Sequence, residues 1–270
     1  MAMPIDFVLV RHGQSEGNLA NKYAYQGDNR HYTEDFRNRH SSQWRLTEQG
    51  VEEAKVAGDW IKENIGGEFD RYYTSEHIRA METSYHLNMS DAVWYSDFFL
   101  RERDGGDFES LPPNERKKKY AEAMKKKDLD AFYWTPPNGE SVANLCIRLK
   151  WMLDTFHREC SDKKLIVVCH GEVMRGFRVL LERMPQRKFL EIDSSDDPND
   201  RVNNCQIYHF SRVNPKTKKV EPYLNWFRSI CPWDPSLSSN KWEKIERPIY
   251  ENQDLKKQVD KISRIVKEAK

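Results

Sequence analysis

The chain has 270 residues, 38% hydrophobic, 12% aromatic and 32% charged, enough apolar material for a full core and too much for a disordered chain. Lysine plus arginine number 44 and aspartate plus glutamate 43, a net charge of +1, which excludes a chain-wide field for nucleic acid or an anionic membrane. The start MAMPIDFVLV has no basic region before its apolar stretch and no small-residue cleavage site, and no apolar run approaches the roughly 20 residues of a membrane span, so the expectation is a soluble, cytoplasmic protein.

Residues 5–10, IDFVLV, form a nearly continuous apolar run rich in β-branched side chains, the pattern of a central strand covered on both faces. An Arg-His-Gly turn follows at once. Residues 19–45 are polar, aromatic and basic with little periodicity, which predicts a long aperiodic loop roofing whatever site lies at the strand end. Thr47 can cap a helix whose inner stripe is Val51, Ala54, Ala57 and Ile61, closed by Gly66 and Gly67. FDRYYTS at 69–75 reads as a strand and 76–88 as a helix. The segment 104–138 holds a lysine-rich helix, ERKKKYAEAMKKKD, between proline pairs. Its lysines alternate with glutamates and lack interleaved aromatics of the kind that stack bases, so a solvated face is expected and no nucleic-acid partner.

A helix over 141–158 keeps Val142, Leu145, Cys146, Leu149, Met152, Leu153 and Phe156 at three-four spacing, with Ser141 as its start signal. KLIVVC at 164–169 is a second buried strand, followed by His-Gly and a helical stripe of Val173, Phe177, Leu180 and Leu181. DSSDDPND at 193–200 lacks the ligand order and the glycine of a calcium loop and reads as surface. CQIYHFSRV and VEPYLNWF alternate like a hairpin turning at 214–218.

Strands alternating with helices of this length predict an α/β three-layer sandwich with a mostly parallel central sheet and helices on both faces. The expected organisation is a catalytic domain over 1–228, with insertions at 19–45 and 104–138, and a Pro/Trp-rich C-terminal extension over 229–270 ending in a helix. Five cysteines, 146, 160, 169, 205 and 231, form no CxxC pair and suit buried thiols in a reducing compartment rather than disulfides or a zinc site.

VLVRHGQSEGN places Arg11 and His12 at the carboxyl end of a strand, where open α/β sheets bind ligands, and VVCHGEVMR places His170 in the equivalent spot. Neighbouring parallel strands would bring the two histidines together. Arg79 lies one helical turn beyond the 69–75 strand and points to the same rim, and Glu102 lies in a loop before two glycines. Two guanidiniums, two imidazoles and a carboxyl group suit phosphate: arginine forks match its oxygens, and imidazole serves as nucleophile or donor.

These residues resemble the histidine phosphatase superfamily, the phosphoglycerate mutase-like family. RHGQSEGN at 11–18, Thr74, Ser75, Arg79 and Thr83, CHGEVMR at 169–175, LTEQG at 46–50 and NGES at 138–141 are similar to its landmarks, in order, across roughly residues 5–213. The resemblance implies a phosphate pocket of Arg11, His12, Arg79 and His170, with His12 the nucleophile, Glu102 the proton donor, and neither metal nor cofactor. Glu109 is the rival donor. Gln14, Ser15, Asn18 and Gly171 are expected to line the pocket, with a helix-start cap as the plainer role for Asn18. Gly17 stands where the mutase has tryptophan, Asp104 and Gly105 replace its Tyr-Gly, and no RRS segment is present. Hydrolysis of a phosphate monoester is therefore expected; the alternatives are a mutase and a non-catalytic binding module on the same fold. Arg30, Arg37 and Arg39 of the 19–45 insertion are expected to select the substrate, or else to pair with Asp28, Glu34 and Asp35 at the surface. The sequence does not give the oligomeric state.

Overall fold

The computed structural model describes residues 2–266. In chain order the elements are β1 (Asp6–Arg11), α1 (Glu16–Tyr25), α2 (Glu34–Asn38), α3 (Glu48–Asn64), β2 (Arg71–Ser75), α4 (Ile78–His86), β3 (Trp94–Asp97), α5 (Pro113–Lys119), α6 (Ala121–Leu129), α7 (Val142–Glu159), β4 (Lys164–Cys169), α8 (Gly171–Glu182), α9 (Gln186–Asp193), β5 (Ile207–Ser211), β6 (Trp226–Ile230), β7 (Glu243–Lys244) and α10 (Asn252–Asp260).

The sheet runs in the order β3-β2-β4-β1-β5-β6-β7. Its first four strands are parallel, and β5, β6 and β7 add an antiparallel wing. Phe7 and Leu9 of β1, with Leu165 and Val167 of β4, pack against α7 and α8 through Leu149, Phe156 and Phe177. Val8, Val10, Ile166 and Val168 face the other way, onto Ala54, Ala57 and Ile61 of α3 and Ala80 of α4. Both faces of the parallel strands are thus covered, which is why their sequences are apolar without alternation. All five cysteines are buried and free. Among the described residues no helix is long and apolar enough to cross a membrane.

Four expectations are corrected. The 19–45 segment is not an aperiodic loop: it contains most of α1, all of α2 and a 3-10 turn at Ser41–Gln43. Its inner residues Ala20, Ala24 and Tyr32 form a small cluster of their own, too small to set a long periodicity. The lysine-rich helix is two helices broken at Tyr120, whose φ of −126° and ψ of 39° leave the helical region. There the Tyr120 hydroxyl donates to Asp107 at 2.6 Å. The strand after 214–218 begins at Trp226 rather than Val220; only an isolated bridge, Val213 to Val220, forms near the turn. Finally, β6 crosses residue 228 and β7 pairs with it, so the sheet continues into 229–270.

Candidate active site

Arg11 ends β1 opposite Cys169, the last residue of β4, so His12 and His170 leave the sheet side by side, ring centroids 5.1 Å apart. The turn after His12 lies hard against the start of α3. A Cβ on Gly13 would sit 2.2 Å from the Gly50 carbonyl oxygen, and one on Gly50 2.1 Å from that of Gln14, so only glycine fits either position. The Thr83 hydroxyl accepts from the Gly13 N–H at 3.1 Å and donates to the Arg79 carbonyl at 2.7 Å, tying the turn to α4.

His12 is 2% exposed, and its Nδ1 lies 2.7 Å from the Gly13 carbonyl. A carbonyl only accepts, so Nδ1 carries the proton and the lone pair is on Nε2. Arg79 Nε donates to that atom at 3.2 Å while its Nη1 donates to the Ser41 carbonyl at 2.7 Å. Burial first, then the charges of Arg79 and Arg11, hold the His12 imidazole well below its ordinary pKa, so it is neutral near pH 7. Arg79, 5% exposed, is lowered to about 10 by burial and still carries its charge there.

His170 is fully buried behind His12. Its Nε2 lies 2.8 Å from the Ser75 hydroxyl, which already accepts the His77 N–H at 3.3 Å. In the tautomer in which Ser75 gives its proton to Nε2, Nδ1 of neutral His170 is a donor. That Nδ1 is buried with no acceptor, and so is Nε of Arg11. Arg11 Nη1 donates to the Val202 carbonyl at 2.5 Å, and the guanidinium lies over Gly171, where a Cβ would come within 3.5 Å of Nε. Buried donors without acceptors cost free energy, and their concentration at the end of a parallel sheet suits an oxyanion.

Glu102 reaches the same cavity. Arg148 of α7 donates to its carbonyl at 3.2 Å and holds Glu140 with two bonds of 2.8 and 2.9 Å, while Arg103 Nε donates to the Glu140 carbonyl at 2.8 Å. The NGES segment thus anchors the loop that carries Glu102, and Ser141 caps α7 by accepting from the Asn144 N–H at 3.0 Å. Burial, then the nearby Glu172 carboxylate, raises the Glu102 carboxyl above its ordinary range, against the Arg103 N–H and the two arginines.

The cavity holds about 200 Å³ and is lined by Arg11, His12, Ser15, Asn18, Arg79, Glu102 and the rival Glu109. His170 and Gly171 stand behind it rather than on its wall. Gln14 points elsewhere: its Nε2 donates to Gln49 at 3.1 Å and its Oε1 accepts from Thr47 at 3.0 Å. Ser15 and Asn18 form the capping box of α1, and Asn18 Oδ1 also accepts from Asn204 at 3.1 Å, so the cap and the cavity wall are one feature.

Several wall residues had no signal in the sequence. Ser41 and Trp44 come from the 19–45 segment, and Phe108 and Arg116 from 104–138. Gly17 admits Trp44, since a Cβ there would lie 2.4 Å from its Cε3. Asn204 donates to the His12 carbonyl at 3.1 Å, and its own carbonyl accepts from Trp233 Nε1 at 2.6 Å, so the C-terminal extension braces the site. Only NNC before a strand marked that loop, too little to single out Asn204.

The chain's relatives carry the same architecture. Residues 7–212 match the description Histidine phosphatase superfamily (branch 1). The chain is 32% identical over 197 residues to a 2,3-bisphosphoglycerate-dependent phosphoglycerate mutase of Sinorhizobium fredii, covering 69% of this chain and 83% of that one. It is 31% identical over 203 residues to the enzyme of the same name from Parvibaculum lavamentivorans, covering 71% and 86%. Among solved structures, the alpha-ribazole phosphatase of Shigella flexneri superposes with a TM-score of 0.60 at 19% identity over 81% of this chain and 96% of that one. A mycobacterial glucosyl-3-phosphoglycerate phosphatase gives 0.58 at 19% identity, covering 78% and 90%. At that identity the two likenesses speak for the fold, whereas the family match spans the strand ends, the histidine pair and both arginines described above: the chain belongs to the histidine phosphatase superfamily.

Proposed function

We propose that the chain is a metal-independent phosphatase that hydrolyses a phosphate monoester through a phosphohistidine on His12. The observation that carries this reading is the state of His12: neutral, with Nδ1 spent on a carbonyl and the Nε2 lone pair at the cavity beside a guanidinium. Nε2 attacks phosphorus, the ester P–O bond breaks, and Glu102 gives its proton to the departing alkoxide. Arg11 and Arg79, on the cavity wall, hold the equatorial oxygens, with His170 behind His12. The Glu102 carboxylate then takes a proton from water as it attacks the phosphohistidine, which frees Nε2 and restores the acid.

Hydrolysis is favoured over transfer because Gly17, packed under Trp44, replaces the mutase tryptophan that the resemblance would require, and because no RRS segment accompanies it. The second reading, a mutase passing phosphate between hydroxyls of a small acid, is favoured by the likeness to phosphoglycerate mutases at 31% identity. Single turnover with labelled phosphate monoester distinguishes them. A phosphatase releases inorganic phosphate from the trapped enzyme; a mutase returns the label to a monoester, with 2,3-bisphosphoglycerate required. The trapped label should be acid-labile and alkali-stable, absent in His12→Ala, and formed in EDTA. Activity lost to EDTA and restored by a divalent cation would overturn the metal-independent reading.

A further inference from the structure

The loop that carries Glu102 also carries an arginine, and the structure engages that arginine elsewhere. Glu102 Oε1 accepts the Arg103 N–H at 2.8 Å, but among the described residues the Arg103 guanidinium makes no ion pair with Glu102. Its Nε donates to the Glu140 carbonyl at 2.8 Å, its Nη1 stands 3.6 Å from Glu172 Oε2, and its central carbon lies 5.9 Å from the middle of the Trp134 ring. Glu172 stands in the first turn of α8, next to the His170 turn. Its other oxygen is 3.7 Å from Nη1 of Arg175, a side chain that bonds Asp193 at 2.7 Å and the Asp200 carbonyl at 3.4 Å.

Charge therefore alternates along one line, from Arg103 through Glu172 and Arg175 to the acidic loop at 193–200. The Arg103 and Arg175 side chains are only 15% and 18% exposed, so salt screens this line less than it screens surface pairs. The Glu102 carboxyl itself lies among cations: Arg11 from β1, Arg79 from α4, and Arg148 from α7, which is paired with Glu140 and donates to the Glu102 carbonyl. Glu109 lines the same cavity, and the buried Cys169 thiol of β4 is pushed up by burial and by Glu102, so it stays neutral. Guanidiniums favour the ionised form of a carboxyl, the opposite of what a proton donor needs. Arg103, next to Glu102 in the chain, would add to them if Glu172 did not hold it.

We propose that Glu172 is a positioning residue for the acid: its carboxylate takes up the charge of Arg103, ties the Glu102 loop to the first turn of α8, and sets a negative charge near a carboxyl that the surrounding arginines would otherwise strip of its proton. Burial acts on Glu102 in the same direction and more strongly, so the two causes reinforce each other. An acid in the first turn of a helix also suits the helix dipole; that role alone would change stability and leave the Glu102 proton untouched. The proposal rests on the reading of Glu102 as the acid of the reaction.

The test is the pH dependence of butyl phosphate and nitrophenyl phosphate hydrolysis by the full chain. In Glu172→Gln, which keeps the size of the side chain and removes its charge, the declining limb for butyl phosphate should move to lower pH by about one pH unit, about a fivefold loss at the wild-type midpoint, with KM and nitrophenyl phosphate turnover unchanged. Glu172→Asp, which keeps the charge, should hold the limb near its wild-type position. A limb that stays in place in Glu172→Gln, or a loss equal on both esters at every pH, overturns the proposal. If Glu102→Gln leaves the butyl phosphate profile as it is, or if neither ester is hydrolysed, the reading of Glu102 as the acid has failed, and carbon NMR of the glutamate carboxyls reads the pair without turnover. The signal missing from Glu102→Gln should titrate at lower pH in Glu172→Gln, which supports the proposal, and an unmoved midpoint overturns it.

Discussion

Arg79 Nε lies 3.2 Å from Nε2 of His12, so the group that would neutralise a transferring phosphoryl already touches the atom that would attack it. One contact serves two ends. The guanidinium disfavours protonation of the imidazole, keeping the nucleophile free, and it stands where charge would build on the equatorial oxygens. Arg79→Gln should therefore lower kcat/KM by about 10² to 10³ and raise the His12 pKa toward, but not to, 6.5, because burial, the larger cause, remains. Imidazole NMR titration of His12 in both proteins checks this; an unmoved His12 would mean that the contact carries no electrostatic weight.

Glu102→Gln should slow hydrolysis of alkyl phosphates by about 10² to 10⁴ and that of nitrophenyl phosphate far less, since only the poor leaving group needs the proton. A carboxyl raised by burial stays protonated to higher pH than usual, so alkyl phosphate turnover should decline as pH rises through that value. The declining limb should disappear in Glu102→Gln. If Glu109→Gln shows the selective loss instead, the proton donor is Glu109, which lines the same cavity.

Gly17→Ala would set a methyl 2.4 Å from the Trp44 ring, which is stacked on Phe36. Urea denaturation should show a loss of about 1 to 3 kcal/mol, the cost of overpacking. Shortening the ring in Gly17→Ala/Trp44→Leu should recover part of it; no recovery would place the strain elsewhere.

Trp233→Phe keeps most of the ring but removes the donor to the Asn204 carbonyl, loosening the residue that holds the His12 carbonyl. We expect about 1 kcal/mol less stability and a few-fold weaker inhibition by vanadate, with the fold retained by circular dichroism. Unchanged vanadate binding would confine the extension's role to the sheet.

His77 is buried and lowered to about 3 from 6.5, by burial first and Arg79 second. Below about pH 6.5 the unfolded chain binds a proton there that the folded chain refuses, so folding stability falls as pH drops from 6.5 toward 3, by about 1.4 kcal/mol per pH unit for one such group. His12 and His170 add to the slope in the same direction. His77→Leu should flatten it by about one proton's worth between roughly pH 6 and pH 5, read from urea midpoints; an unchanged slope would mean that His77 titrates normally.

The sequence carried the parallel core and the positions of the reactive groups. Apolar runs at 5–10 and 164–169 ending in His-Gly can lie only at buried strand ends, and the three-four stripe of 141–158 and the Ser141 cap are local properties that survive any packing. The two insertions were illegible for the converse reason. α1, α2, α5 and α6 bury few residues or none against the main core, so they have little amphipathic period to read, and their shape follows from contacts such as Arg37 with Glu115, 78 residues apart.

What the sequence determined by itself was chemistry fixed by spacing: which side chains leave the carboxyl ends of β1, β2 and β4. Which nitrogen of His12 carries the proton, why Gly17 must be glycine, that Gln14 turns away from the cavity, and that Arg39 alone of the three insertion arginines stays unpaired among the described residues were decided by the tertiary structure. A proton's place and a guanidinium's availability depend on whichever acceptor folding brings within about 3 Å, and those acceptors come from residues remote in the chain.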